Sequence, residues 1–166
     1  MTLIFCVSAV QAEDILRQTI IETAKLYQGV AYRYGAESPK GFDCSGFVRY
    51  VYRTAAGIDL PRSSRNIWAS GRSIPIAEAQ PGDIVVFAAQ KGGPVDHVAI
   101  LMDRNSIIHA VSQGPKTGVI ISPLTDRYFG PRILGVKTFI LAPTPTEPAE
   151  IDTASIPPEA PDLAET

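Results

Sequence analysis

The segment Phe42-Asp43-Cys44-Ser45-Gly46 runs directly into an amphipathic stretch of the chain. Residues 45–56 place apolar side chains at helical spacing and are followed by Gly57, which predicts a helix that begins beside the cysteine. Asp43 is a suitable N-cap residue, so Cys44 should lie in the first helical turn. The helix dipole and the unpaired amide groups there favour a thiolate, and we expect a Cys44 pKa below that of free cysteine. Cys44 is therefore a candidate nucleophile, although a lone cysteine is more often a small buried side chain.

The pattern on either side of this helix predicts the fold class. One helix is expected over residues 13–27 and a short one from Ser63 or Ser64. After Pro81 the chain changes to short runs rich in Val and Ile, at residues 84–88, 98–102, 107–111, 119–121 and 136–141. Helices followed by strands predict an α+β domain, with amino-terminal helices packed on an antiparallel sheet of about five to six strands.

Length and composition exclude several classes of protein. The 166 residues, of which 45% are hydrophobic, fit one domain rather than two. No stretch approaches the roughly 20 apolar residues of a membrane-spanning helix, so we expect no integral membrane segment. A formal charge of -2 and a pI near 5.7 give no basic field for nucleic acid.

The two ends of the chain differ in composition from its middle. Residues 1–12 combine an apolar run with small residues near Ala12, which predicts a truncated secretory signal peptide and export to the periplasm or beyond; a short buried strand is the alternative. Residues 143–166 carry six acidic side chains, six prolines and no Lys or Arg, which predicts a disordered tail. The remaining residues, 13–142, form the expected domain.

The two histidines of the chain both lie in predicted strands. If residues 103–105 form a three-residue hairpin loop, Ala99 faces His109, and His97 is its diagonal neighbour on the same face of the sheet. The two imidazoles should then lie within reach of each other. One could act as the base for a thiol and the other could orient it, and the pattern does not say which.

Six sequence blocks resemble the NlpC family of bacterial cell-wall cysteine peptidases, which are papain-like enzymes with a rearranged topology. The resemblance covers about residues 13 to 140. The blocks are Gly29-Val30-Ala31-Tyr32-Arg33-Tyr34-Gly35, Gly41-Phe42-Asp43-Cys44-Ser45-Gly46-Phe47-Val48, Leu60-Pro61-Arg62-Ser63, Gln80-Pro81-Gly82-Asp83-Ile84, Asp96-His97-Val98-Ala99-Ile100 and Ile108-His109-Ala110.

The resemblance implies a role for each site residue. Cys44 would be the nucleophile, His97 the general base and His109 the residue that orients it. Tyr32 would lend its hydroxyl to the oxyanion region or the substrate. Asp43 and Ser45 would help to bind the free amine end of the peptide.

By the same resemblance, the chain would be a peptidoglycan hydrolase that cuts stem peptides, most often between γ-D-glutamate and the diamino acid. The reaction needs no metal or other cofactor, and we expect a monomer. The aromatic side chains Tyr34, Tyr50 and Tyr52 are given no catalytic role, since they can simply pack the helix against the sheet.

Three other interpretations remain open at this level. The domain could be a non-catalytic wall-binding module of the same fold. The presence of the cysteine, both histidines and the tyrosine argues against this interpretation, and the absence of any one of them would have favoured it. It could be a papain-like amidase or acyltransferase that acts on another substrate. A metal site formed by Cys44, His97, His109 and Asp96 is a weaker alternative, because a cysteine at a helix start suits thiol catalysis.

Overall fold

The computed structural model describes residues 9–114 and 117–140. Its elements follow the chain in the order helix, small hairpin, two helices and a run of strands. Their bounds are α1 Ala9–Leu26, β1 Glu37–Ser38, β2 Gly41–Phe42, α2 Cys44–Ala56, α3 Ser64–Ala69, β3 Arg72–Ile74, β4 Ile84–Ala88, β5 Val95–Leu101, β6 Ser106–Val111, β7 Gly118–Pro123 and β8 Ile133–Thr138.

Local sequence signals set both ends of α2. The carboxylate of Asp43 accepts a hydrogen bond from the backbone N–H of Gly46 at 2.6 Å, which confirms the predicted N-cap. At the other end Gly57 takes a left-handed conformation with φ of 66°, and its N–H bonds to the carbonyl of Arg53. The cysteine is thereby held at the first position of a helix with both ends capped.

The main sheet has six antiparallel strands in the order β3-β8-β4-β5-β6-β7. Five of them correspond to the predicted strands, and the α+β class is confirmed. Leu101 pairs with Ile107, and the N–H of Met102 bonds to the carbonyl of Ser106, so residues 103–105 form the loop that the sequence indicated.

The two faces of the sheet bury different side chains. On the helix face, Val86, Val98 and Ile108 pack with side chains of α1 and α2 in the larger core cluster. On the opposite face, Val85, Ala99 and similar side chains form a second cluster with partly buried residues of the 124–133 segment. His97 and His109 have the strand parity of Ala99, so we call this second side the histidine face.

Several boundaries differ from the predictions. Helix α1 begins at Ala9 rather than at residue 13, so residues 9–12 of the predicted leader are helical. The β1–β2 hairpin and strand β3 were not predicted. Residues 1–8 and 141–166 lie outside the described residues, so the predicted signal peptide and acidic tail stay predictions.

A buried ion pair joins α1 to the turn before β4. The guanidinium of Arg17 donates to the Asp83 carboxylate at 3.0 Å and to the carbonyl of Pro81 at 3.0 Å. Both members of the pair are buried, and Tyr52 of α2 donates a hydrogen bond to the carbonyl of Gly82 beside them. These contacts fix the three elements together at the side of the core.

Candidate active site

The Cys44 thiol lies against the backbone at the start of β5. Its sulfur approaches the carbonyl oxygen of Asp96 at 4.0 Å and the hydroxyl of Ser64 at 3.6 Å. The backbone N–H of Val98 also faces the sulfur and favours the thiolate. Asp96 and Val98 flank His97 in the chain, so the thiol contacts the backbone on both sides of the histidine to which the family resemblance assigns the role of base.

A β-bulge distorts β5 at this point. Phe87 of β4 pairs with His97 and Ala88 pairs with Val95, so Asp96 is the extra residue. A bulge bends its strand and re-aims the neighbouring side chains, and such irregularities are frequent beside active sites. The carbonyl of the bulged residue Asp96 is the one that the Cys44 sulfur approaches.

Burial raises the pKa of the Cys44 thiol, and the negative charge of Asp43 acts in the same direction. The hydrogen bond with Ser64 and the amides of Ser45 and Val98 work against this effect, but burial is the largest cause. The expected lowering of the Cys44 pKa is therefore wrong for the free protein. The sequence showed the helix start, but it did not show that packing against β5 and α3 would partly bury the sulfur.

The two histidines meet on the histidine face as predicted. Nε2 of His97 lies 2.8 Å from Nδ1 of His109, which is a hydrogen bond between the two rings. The β5–β6 register places Ala99 opposite His109, since Ile100 pairs with Ile108. His97 uses Nε2 for this contact, which leaves Nδ1 as its other ring nitrogen.

Burial keeps both imidazoles neutral. The pKa of His97 falls to about 3 through burial and the proximity of His109, and that of His109 falls to about 4 through burial. Phe129 packs against both rings, with centroid distances of 5.2 Å to His97 and 4.7 Å to His109. An uncharged imidazole is the form that can accept a proton from a thiol.

Ser122 extends the row of hydrogen-bonded side chains formed by His97 and His109. The sequence did not predict Ser122 as a site residue. Its hydroxyl oxygen lies 2.9 Å from Nε2 of His109, on the neighbouring strand β7. His109 is fully buried and Ser122 is 8% exposed. A serine inside a short apolar strand gives no sequence signal until the register between β6 and β7 is known.

Tyr32 lies on the other side of the cysteine, in the loop before the β1–β2 hairpin. It forms an isolated bridge with Phe42 and is half-buried. Burial raises the pKa of its phenol, and charges on Cys44 and Asp43 add to this effect, which shows that the hydroxyl lies close to the nucleophile. At neutral pH the phenol is a hydrogen-bond donor.

Asp43 and Ser45 flank the nucleophile, and both contact the guanidinium of Arg62. The predicted N-cap role of Asp43 did not indicate this contact with Arg62. Nη1 of Arg62 donates to Oδ1 of Asp43 and to Oγ of Ser45, both at 3.0 Å, and Nη2 donates to Oδ2 of Asp43 at 2.6 Å. The N–H of Gly35 donates to Asp43 as well. The carboxylate is therefore fully engaged, and Arg62 holds a cationic donor between Asp43 and Ser45.

Gly46 allows the hairpin to approach the start of α2. A Cβ atom at this position would lie 2.2 Å from the carbonyl oxygen of Ala36, closer than any real contact. The same carbonyl accepts a hydrogen bond from the N–H of Asp43 at 2.9 Å. A side chain at residue 46 would push apart the segments that position Cys44.

A cavity of about 580 Å³ opens on the histidine face next to His97. It contains acidic groups at Asp96 and Asp126 and a basic group at Arg132, which stacks on the ring of Tyr128 at 3.6 Å. Its lining residues are Phe87, Ala88, Asp96, His97, Val111, Ser112, Gln113, Gly114, Ile120, Ile121, Ser122, Asp126, Tyr128, Phe129 and Arg132. The cluster around Asp43 and Arg62 is not part of this lining.

The three tyrosines expected to pack the core have different surroundings. Tyr52 is fully buried, and Tyr50 packs edge-on against Tyr27 at a centroid distance of 5.2 Å. Tyr34, in contrast, is 93% exposed, so the packing interpretation is wrong for this residue. It lies two residues after Tyr32, in a turn at the protein surface.

The described part of the chain contains neither a cluster of metal-ligating side chains nor a candidate membrane span. Among residues 9–114 and 117–140, no three His, Cys, Asp or Glu side chains are grouped as metal ligands. Within the same residues, none of the helices has the length and the apolar character needed to cross a bilayer.

The arrangement of a cysteine at a helix start and a histidine pair on an antiparallel sheet defines a papain-like α+β fold. The NlpC/P60 family model matches residues 29–138, and the chain belongs to this family. The predicted family and fold are thus confirmed.

Individual relatives agree with this assignment. The chain is 34% identical over 138 residues to gamma-DL-glutamyl hydrolase of Bacillus subtilis, covering 82% of this chain and 33% of that protein. It is 39% identical over 120 residues to the probable peptidoglycan endopeptidase LytE of the same organism, covering 72% of this chain and 34% of that protein. It thus spans about a third of the length of these two relatives. The crystal structure of an NlpC/P60 family protein from Bacillus cereus superposes with a TM-score of 0.69 at 31% identity, covering 75% of this chain and 40% of that one.

Proposed function

We propose that this protein is a cysteine peptidase that hydrolyses amide bonds in peptidoglycan stem peptides. The observation that carries the proposal is the position of the Cys44 thiol against the backbone that flanks His97, together with the 2.8 Å hydrogen bond from His97 to His109. These are the nucleophile, base and orienting group that thiol acyl transfer requires. The names of the relatives, a glutamyl hydrolase and a probable peptidoglycan endopeptidase, support the substrate class.

The mechanism follows from the order of these groups. Nδ1 of neutral His97 takes the proton of Cys44 as the sulfur attacks the amide carbon, which yields a tetrahedral oxyanion. His97 then returns the proton to the leaving amine, and the acyl group remains on sulfur as a thioester. A water molecule, deprotonated by His97, then attacks the thioester; the carbon–sulfur bond breaks, the acid is released, and His97 returns the proton to the Cys44 sulfur. The phenol of Tyr32 and the backbone N–H of Cys44 are the proposed donors to the oxyanion.

We assign the acyl side of the substrate to Asp43 and Ser45. A free ammonium group at the end of the peptide is a cation that can take the place of Nη1 of Arg62, which lies 3.0 Å from each of these side chains. Tyr32 stands at the same end of the site. A stem peptide with a free amino terminus suits this cluster, because a carboxylate and a hydroxyl recognise an ammonium group by hydrogen bonding.

We assign the leaving-group side to the cavity next to His97. A diamino acid carries both amine and carboxylate groups, and the cavity offers Asp96 and Asp126 beside Arg132. The finer proposal is therefore cleavage between γ-D-glutamate and the diamino acid. Because peptidoglycan lies outside the cytoplasmic membrane, this function also requires export.

The test is incubation of the full chain with purified stem peptides and mass spectrometry of the products. We expect fragments that end in γ-D-glutamate from the wild type and from Cys6→Ala, and none from Cys44→Ala, which removes the attacking atom. Acetylation of the substrate amino terminus should lower kcat/KM if Asp43 and Ser45 bind the amine. Turnover by Cys44→Ala would refute the cysteine mechanism, and binding without turnover by the wild type would favour a wall-binding module.

A further inference from the structure

Ser122 contacts the side of His109 that faces away from His97. Its hydroxyl oxygen is 2.9 Å from Nε2 of His109, while Nδ1 of the same ring is 2.8 Å from Nε2 of His97. Each nitrogen of the fully buried His109 ring thus has one partner. Burial holds the pKa of His109 at about 4, so at neutral pH the ring carries a single proton.

The position of that proton determines whether His97 can act as a base. To accept the thiol proton at Nδ1, neutral His97 must carry its own hydrogen on Nε2. That N–H then donates to Nδ1 of His109, which must be bare. The proton of His109 consequently lies on Nε2 and points at the Ser122 hydroxyl, which must accept it.

We propose that Ser122 is a positioning residue whose hydroxyl oxygen accepts a hydrogen bond from His109 and thereby sets the tautomers of both histidines. The inference rests on the proposed function, since it takes Nδ1 of His97 to be the base. A hydroxyl that donated to His109 instead would reverse every proton in the row, and His97 would carry its hydrogen on Nδ1, where it could not accept the thiol proton.

The surroundings of Ser122 favour the accepting arrangement. The carboxylate of Asp126 lines the same cavity as Ser122 and is close enough to His109 to raise its pKa, against the larger effect of burial. Ser122 also borders this cavity, so the hydrogen of its hydroxyl can point into the cavity, which contains this negative charge, and leave a lone pair of the oxygen for His109.

The direct test reads the tautomers by NMR. The full chain contains only two histidines, so a long-range ¹H–¹⁵N spectrum of the uniformly labelled protein shows two rings, and His109→Gln assigns them. At pH 7.5 we expect both rings to carry the proton on Nε2. A wild-type His109 with its proton on Nδ1 would overturn the proposal without any need for a variant.

Two substitutions of similar shape isolate the hydroxyl. Ser122→Thr keeps it and Ser122→Val removes it, and both are β-branched residues that suit a strand. Because a hydrogen bond can shift a buried tautomer equilibrium by about tenfold, Ser122→Val should populate the Nδ1-protonated form and lower kcat about tenfold with an unchanged KM. Ser122→Thr should retain the wild-type tautomers and kcat.

The control is Ser106→Ala, which removes a hydroxyl on β6 that bonds to Asp103 rather than to a histidine. We expect this variant to match the wild type in both measurements. Unchanged tautomers in a folded Ser122→Val protein would refute the proposal, whatever its activity. If the wild type cleaves no peptide, the proposed function fails, but the NMR spectra still decide the role of Ser122.

Discussion

A shift from pH 7.5 to pH 5.5 should destabilise the fold through its two histidines. The folded-state pKa values, about 3 for His97 and about 4 for His109, lie below the ordinary value of about 6.5 for an unfolded chain. As the pH falls, the unfolded chain therefore binds protons before the folded protein does. Linkage then requires that the free energy of unfolding decrease through this window.

The size of the effect follows from the same values. Between pH 7.5 and pH 5.5, protonation of one histidine in the unfolded chain alone contributes about 1.4 kcal/mol, and the pair contributes about 2.7 kcal/mol. This is a large part of the roughly 5–15 kcal/mol that stabilises an ordinary domain. Carboxylates titrate mainly below pH 5 and add little in this range.

Urea unfolding followed by circular dichroism at the two pH values measures the difference. With a slope of about 1–3 kcal/mol per molar urea, the loss of about 2.7 kcal/mol should lower the midpoint by about 1–3 M on acidification. The double variant with His97→Asn and His109→Gln should lose most of this pH dependence. A wild-type midpoint that stays constant or rises at pH 5.5 would show that the folded histidines titrate normally, and the argument for a neutral resting pair would be refuted.

Three further outcomes test separate features. The rate of alkylation of Cys44 by iodoacetamide, measured in a Cys6→Ala background, should inflect above the pKa of about 8.5 of free cysteine, because burial raises it; an inflection below that value contradicts this reasoning. Arg17→Met should lower the free energy of unfolding by about 3–5 kcal/mol in urea titrations, since it leaves Asp83 charged and buried, and adding Asp83→Asn should restore part of the loss. Gly46→Ala should both destabilise the fold and lower kcat/KM, because the added Cβ would collide with the carbonyl oxygen of Ala36. A variant that is stable and fully active would show that the backbone at Ala36 can move away at little cost.

Much of the site could be predicted because it depends on local rules. A three-residue loop sets the register between β5 and β6, and strand alternation then places His97 and His109 on one face. Capping preferences likewise place Cys44 at the start of α2. These inferences need only neighbouring residues, and the resemblance to a known family added the roles.

The remaining features depend on packing between distant segments. The bulge at Asp96 arises where β5 meets β4, and nothing in the sequence around it marks an extra residue. Either Ser63 or Ser64 could cap α3; the structure uses Ser63 and leaves Ser64 to face the Cys44 thiol. Strand β3 is a short edge strand with mostly exposed side chains, so it has no alternating pattern to find.

The raised Cys44 pKa and the lowered His97 pKa together restrict how the proposed reaction can begin. Both shifts favour the neutral thiol and imidazole, so transfer of the proton to His97 before the attack would be unfavourable in the free protein. The two steps are therefore best coupled, with the thiol losing its proton as the sulfur bonds to the carbonyl carbon. Negative charge then develops on the carbonyl oxygen rather than resting on sulfur, and donors such as the Tyr32 phenol act where it develops. Under the proposed mechanism, Cys44 should react slowly with alkylating agents, which offer no carbonyl oxygen to those donors, and still attack the proposed peptide substrate.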